Sequence, residues 1–171
     1  YIRERITMSD YSAKDWHYIM NGNLNSFFHI VRILLPYMQQ RKWGRLITFG
    51  YERSETAPAW IYRSACAAAK SGLTSLAKAL AKEEAANGIT VNMIAPGDIT
   101  REWKEKEIKD SSGTKDKHTP VGRPGTGEDV ARVVSFLCKE QSDFITGSVI
   151  PATGGKDVLG KRQITLQDGH I

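Results

Sequence analysis

The chain has 171 residues, of which 40% are hydrophobic and 25% are charged, which is an ordinary composition for a globular protein. This length allows one hydrophobic core, so we expect a single domain over residues 1–171, with a polar tail at 157–171. The apolar run at 30–35 is interrupted by Arg32 and closed by Pro36, too short to span a bilayer, so we expect no membrane partner.

A formal net charge of +5 and a pI near 9.2 raise the possibility of a nucleic-acid partner. The basic residues between Arg101 and Lys117 alternate with acidic ones, however. A surface that binds phosphates needs one sign of charge on one face, so the pattern predicts a solvated segment and no nucleic-acid binding.

The two cysteines, Cys66 and Cys138, lie far apart in apolar, helix-forming sequence. Their separation does not match a metal-ligand motif, so we expect reduced thiols and no metal site. The first residues are charged and do not resemble a secretory leader, which predicts a cytoplasmic protein.

Ser12, followed by Asp15, predicts the start of a helix that runs to about Arg41. The segment Asn21-Gly22-Asn23 interrupts it with poor helix formers and predicts a kink. Beyond it the pattern predicts a strand at 44–49, a polar loop at 50–60, a helix at 63–87, a strand at 91–95, a helix starting after Thr126, and a last strand at 144–150.

The repeated order of helix and strand predicts an α/β fold with a parallel sheet covered by helices. A dinucleotide-binding fold also needs a Gly-rich turn from its first strand into a helix, and this sequence has none near its start. We therefore expect the N-terminal phosphate-binding half to be absent from this chain and the natural protein to extend about 80–90 residues before Tyr1.

Five segments occur in the order of a known family's motifs: Trp16 with Asn23-Leu24, 44–49, 64–70, 91–97, and the closing region from 120–130 to 145–155. Together they resemble the short-chain dehydrogenase/reductase family, closest to its 3-oxoacyl-[acyl-carrier-protein] reductase branch. The resemblance implies a Rossmann-like, doubly wound parallel sheet with helices on both faces. It also implies NAD or NADP as cofactor and a small-molecule carbonyl or alcohol substrate.

In that family a tyrosine protonates the carbonyl oxygen, and a lysine one helical turn later lowers the tyrosine pKa and binds the cofactor ribose. A serine stabilises the oxyanion, and an asparagine holds a relay water. The resemblance gives the asparagine role to Asn23 and the lysine role to Lys70. It places Pro96, Gly97, Ile99 and Thr100 at the cofactor.

Two positions depart from the family pattern. Cys66 stands where the family has its tyrosine, and its side chain is too short to reach the same oxygen. The serine position falls on Tyr51, with Arg53 and Ser54 as competitors because the interval is longer than usual. Tyr51 and Tyr62 are the candidate replacement acids. The position of the usual threonine is Arg101, so Thr100 fits only if the loop shifts by one residue.

Several alternatives remain open at this level. Lys70 could be a solvated helix lysine, and Asn23 a residue of the kink. Cys66 is either a small apolar residue or a thiol with a lowered pKa. The function is therefore either an NAD(P)-dependent oxidoreductase, impaired by Cys66, or a non-catalytic binding or assembly module. Finally, the alanines of 63–87, including Ala81, Ala85 and Ala86, predict a homodimer or homotetramer built partly on the two long helices.

Overall fold

A computed structural model describes residues 5–156, so the expected polar tail at 157–171 lies outside the described residues. Five helices and three strands form the described part of the fold. In chain order they are α1 (Ala13–Met20), α2 (Ser26–Arg41), β1 (Gly44–Phe49), α3 (Ser64–Glu84), β2 (Ile89–Pro96), α4 (Ile108–Ser111), α5 (Gly127–Leu137) and β3 (Val149–Ala152). Among these helices, none is long and apolar enough to cross a membrane.

The three strands form a parallel sheet in the order β1-β2-β3, as the helix-strand order predicted. β1 pairs with β2 from Gly44 opposite Ile89 to Phe49 opposite Ile94. β2 pairs with β3 up to Pro96 opposite Ala152. All three strands therefore end at the same edge of the sheet, where ligands of parallel α/β folds bind.

Helices pack against the sheet because its strands are apolar. Leu46, Ile89 and Val91 form one core cluster with Val31 of α2 and with buried residues of α3. α5 contacts all three strands. Side chains along a strand alternate between the two faces, so Asn92 and Ile94 of β2 face away from the α3 side. This is the α/β architecture that the sequence predicted.

The long first helix contains an irregularity at the predicted kink. Residues Asn21–Asn25 form a π-helical segment that joins α1 to α2. The predicted cap is also present, since the Ser12 hydroxyl accepts a hydrogen bond from the Asp15 backbone at 3.0 Å. Single π-helical segments often mark functional positions within helices, and this one contains Asn23.

The last strand differs from the prediction of 144–150, because β3 begins only at Val149. Phe144 is 99% exposed, and Gly147 adopts a positive φ of 73°. The Asn92 side chain donates to the Ile145 carbonyl at 2.7 Å and accepts from the Ser148 backbone at 3.1 Å. The Asn92 side chain therefore hydrogen-bonds to the backbone of this segment, and β3 begins after the turn at Gly147.

One smaller expectation was also wrong. Ala81 was expected on an exposed small-residue surface, but it is 1% exposed and belongs to the core cluster. Ala85 and Ala86 are exposed as expected. Cys138 follows the last residue of the apolar helix α5 and is exposed. Both cysteines are free thiols.

An ion pair fixes the start of α5 and predicts a pH dependence of stability. Arg123 binds Asp129 through two hydrogen bonds of 2.8 and 2.6 Å, and the Thr126 backbone donates to Asp129 at 2.8 Å. Hydrogen bonding to Arg123 lowers the pKa of Asp129 from 3.8 to about 2. Because the folded-state pKa is depressed, the stabilisation is present above about pH 4 and is lost as the pH falls towards 2.

We expect Asp129→Asn to lower the free energy of unfolding at pH 7 by about 1 kcal/mol, a value reduced for solvent screening at this partly exposed site. The difference from the wild type should vanish near pH 2, as measured by urea unfolding. Asp143→Asn is the control, because Asp143 is an exposed carboxylate outside this pair. If Asp129→Asn lowered the free energy of unfolding equally at all pH values, the loss would come from helix capping and not from the ion pair.

Candidate active site

A cavity of about 520 Å³ opens at the carboxyl ends of β1 and β2. Its walls come from five parts of the chain that are distant in sequence. The lining residues are Asn23, Phe49, Gly50, Tyr51, Glu52, Trp60, Cys66, Lys70, Pro96, Gly97, Asp98, Ile99, Lys104, Gly127 and Val130. The fold therefore brings Asn23, Tyr51, Cys66, Lys70, Pro96, Gly97 and Ile99, seven of the residues singled out from the sequence, to one cavity.

Asn23 reaches the cavity from the π-helical segment. Its side-chain amide donates to the Ile19 carbonyl at 2.9 Å, which fixes the orientation of the side chain. Within the described residues the amide oxygen of Asn23 has no hydrogen-bond donor. Asn23 therefore belongs to the kink, as one of the two interpretations proposed, and its side chain also forms part of the cavity wall.

Lys70 lies on α3, and its amine donates to the Phe49 carbonyl at 2.7 Å. This contact ties the helix to the end of β1. Burial lowers the pKa of Lys70 from its usual value of 10.5, and the nearby Cys66 opposes the shift. Lys70 is consequently not a solvated helix lysine, which was the alternative interpretation.

Cys66 lies one helical turn before Lys70 and is 5% exposed. It belongs to a small apolar cluster with Ile19 and Ala65, against which Tyr11 and Trp60 pack. Burial raises the pKa of the Cys66 thiol, and the opposing effects of Arg63 and Lys70 are smaller. This direction is opposite to that of an activated thiolate and favours the interpretation of Cys66 as a small apolar residue.

Tyr51 follows β1 and contributes its ring to the cavity wall. The ring is 5.0 Å from the Trp60 ring, centroid to centroid. The Tyr51 hydroxyl donates to the Pro58 carbonyl at 3.3 Å and lies 3.4 Å from the Ser71 hydroxyl. Tyr51 is therefore in the cavity, but its hydroxyl is bound by the loop and by α3.

Three other candidates lie outside the cavity lining. Tyr62 lies two residues before α3 and has a positive φ of 61°. The Arg5 guanidinium lies over its ring. Thr100 is exposed and donates to Glu102 at 3.3 Å. Ser54 is buried and accepts a hydrogen bond of 2.9 Å from Thr74. None of these three hydroxyl groups faces the cavity in this arrangement.

Sequence reasoning missed several cavity residues, including Trp60, Glu52 and Lys104. Trp60 lies in a loop without a motif, and Lys104 lies among alternating charges. No pattern in the sequence marks these residues. In the structure, a side chain at Gly127 would collide with the Lys104 carbonyl. The glycine allows the 101–106 segment to lie against the start of α5 and to cover the cavity.

A parallel sheet flanked by helices, with a cavity at the carboxyl ends of its strands, defines a Rossmann-like α/β fold with a ligand-binding site at that edge. Comparison with known proteins gives the family. The family described as enoyl-(acyl carrier protein) reductase matches residues 2–157. The chain belongs to this family of short-chain dehydrogenases/reductases.

Individual relatives agree with this assignment. The Bacillus subtilis protein YtkK, provisionally named an oxidoreductase, is 48% identical over 96% of this chain and 65% of its own length. The 3-oxoacyl-[acyl-carrier-protein] reductase FabG of Haemophilus influenzae is 34% identical over 83% of this chain. The chain spans 58% of that FabG protein.

Solved structures show the same fold. A Bacillus thuringiensis protein provisionally named a 3-oxoacyl reductase superposes with a TM-score of 0.88 at 46% identity, over 93% of this chain and 63% of that chain. The acetoin dehydrogenase YohF of Salmonella typhimurium superposes with a TM-score of 0.77 at 26% identity, over 89% of this chain and 60% of that chain.

Proposed function

We propose that the protein is an NAD(P)-dependent oxidoreductase that interconverts a carbonyl and an alcohol, with a rate limited by the loss of the usual proton donor at Cys66. The observation that carries the proposal is the convergence of Asn23, Cys66 and Lys70 on one cavity at the ends of the strands. The names of the relatives favour a 3-oxoacyl thioester over an enoyl thioester as substrate.

The residues around Lys70 fit the nicotinamide-ribose end of such a cofactor. The partly buried Lys70 side chain donates to one backbone carbonyl, which leaves further N–H groups of its amine for ribose hydroxyls. Gly97 lies where a Cβ would be 2.9 Å from the Thr153 backbone, so the Pro96-Gly97 turn packs closely on the end of β3. Pro96, Gly97 and Ile99 line the cavity beside this turn, and Thr100 would join them only through a shift of the loop.

A bound nicotinamide supplies a hydride to the carbonyl carbon. Within the chain, Lys70 would hold the ribose and stabilise negative charge near the substrate oxygen. The Asn23 amide oxygen would hold a water that carries protons towards Lys70. Cys66 leaves the place of the proton donor without a hydroxyl. Tyr51 and Tyr62 stay as candidate acids, although the Tyr51 hydroxyl would first have to leave Pro58.

The alternative is a non-catalytic module that keeps the fold for binding or assembly, and Cys66 is the observation that favours it. The two functions differ in what the cavity does. The oxidoreductase turns over a carbonyl substrate, whereas the module binds without turnover. We propose NAD or NADP as the cofactor.

The first experiment measures cofactor binding on the full-length protein by nicotinamide fluorescence. We expect binding of NADH or NADPH that Lys70→Ala weakens, because the variant loses the ribose contact. Lys78→Ala is the matched control, since Lys78 is an exposed lysine on the same helix. Tight nicotinamide binding without turnover of any ketone or 3-oxoacyl thioester would favour the binding module. Equal affinities for the wild type and Lys70→Ala would contradict the role of Lys70.

A further inference from the structure

We propose that Lys70 forms a covalent imine with an apolar carbonyl compound held in the cavity. The reaction uses the cavity of the proposed oxidoreductase but needs no nicotinamide. Its failure is therefore distinguishable from a failure of the proposed function. Three observations carry the proposal: the surroundings of the amine, the apolar wall next to it, and the side chain that precedes it by one turn.

Lys70 lines the cavity and is partly buried. Within residues 5–156, no carboxylate forms an ion pair with it. Its hydrogen-bond partner is the Phe49 carbonyl, which can also accept a hydrogen bond from a neutral amine. Burial lowers the pKa of Lys70, so the neutral and nucleophilic form is favoured relative to a surface lysine.

The cavity wall beside Lys70 suits an apolar carbonyl compound. The rings of Trp60 and Tyr51 lie 5.0 Å apart and form one side, while Ile99 and Val130 contribute aliphatic surface. Such a wall holds a hydrocarbon chain or a ring by excluding water. A carbonyl group of this occupant then meets the amine at the polar end of the cavity.

The residue at position 66 affects whether Lys70 is neutral and able to form an imine, or protonated beside a phenolate. A tyrosine there would place a phenol next to Lys70, and a phenolate would hold the lysine as an ammonium ion. The thiol of Cys66 is shorter, and its own pKa is raised by burial, so it stays neutral. Position 66 therefore supplies no phenolate that would keep Lys70 protonated.

Formation of the imine needs neither an oxidant nor a reductant. The neutral amine nitrogen of Lys70 attacks the carbonyl carbon, and the carbon-oxygen π electrons move to the oxygen. Both amine protons are transferred to that oxygen, which leaves as water, and the nitrogen-carbon double bond forms. Hydrolysis reverses the reaction, so the adduct is reversible until it is trapped.

The test is reductive trapping on the full-length protein without nicotinamide. The protein is incubated with 2-octanone and sodium cyanoborohydride at neutral pH, digested, and mapped by mass spectrometry. We expect the mass of one octyl group on Lys70, at a higher occupancy than on Lys78, the exposed lysine of the same helix. Cys66→Tyr should lower the occupancy of Lys70 relative to that of Lys78.

Lys70→Arg gives the second readout, because it keeps a cation that cannot form an imine. Its circular dichroism should match the wild type, its Lys78 peptide should label as before, and the label at position 70 should disappear. An unlabelled Lys70, or an occupancy no higher than that of Lys78, would overturn the proposal. An occupancy of Lys70 that is unchanged in Cys66→Tyr would overturn it as well.

Discussion

Replacing Cys66 with tyrosine is expected to raise the rate of NAD(P)H-dependent carbonyl reduction by about 100-fold or more, the lower range of what a positioned general acid contributes. Cys66 lies one turn before Lys70 in the cavity, so a tyrosine there gains a hydroxyl near the developing oxyanion. The neighbouring Lys70 would lower the pKa of that phenol. Steady-state kinetics with a panel of ketones and a 3-oxoacyl thioester gives the measurement.

Two features of the site decide how this result is interpreted. Trp60 packs against Cys66, so the new ring needs Trp60 to move. Cys138→Tyr is the matched control, because the same substitution at an exposed cysteine far along the chain should leave the rate unchanged. High turnover in the unmodified protein that Tyr51→Phe or Tyr62→Phe abolishes would contradict the prediction and identify the replacement acid.

A homodimer or homotetramer is the second expected result, and Ile33→Arg is expected to reduce the particle mass to about half of the dimer value. α2 exposes a row of large apolar side chains, with Ile33 66% and Tyr37 65% exposed and Ile30 and Leu34 beside them. Water contact with such a row is unfavourable, and a second copy of the chain offers the same row to cover it. Light scattering on the full-length protein at micromolar concentration gives the mass.

The choice of variant follows from the structure. Ala81→Arg is not a suitable test, because Ala81 is 1% exposed and an arginine there would disrupt the core. Ala85→Arg is usable, since Ala85 is exposed at the end of α3. Phe144→Arg is the control, because Phe144 is 99% exposed and belongs to the segment before β3 and to neither long helix. A wild-type monomer, or an oligomer unaffected by Ile33→Arg and Ala85→Arg, would rule this interface out.

The sequence by itself determined the fold class and the identity of several cavity residues. Helix caps and the period of apolar residues are local properties, so Ser12, Thr126 and the strand at 44–49 could be read directly. The parallel order then follows from helices alternating with strands, and it places Pro96 and Gly97 at the ligand-binding edge. Motif order identified Asn23 and Lys70 and showed the cysteine at position 66.

Only the tertiary structure decided what surrounds these residues. Trp60 and Lys104 reach the cavity from loops whose local sequence has no period, so no pattern could place them. Ala81 and Ala85 are one helical turn apart and look alike in sequence, yet Ala81 packs into the core, whereas Ala85 lies where α3 ends in a 3-10 turn and is exposed. β3 begins later in the chain than predicted, because the Asn92 side chain hydrogen-bonds to the backbone of Ile145 and Ser148. Burial depends on contacts between distant segments, and that burial sets the pKa directions of Lys70 and Cys66.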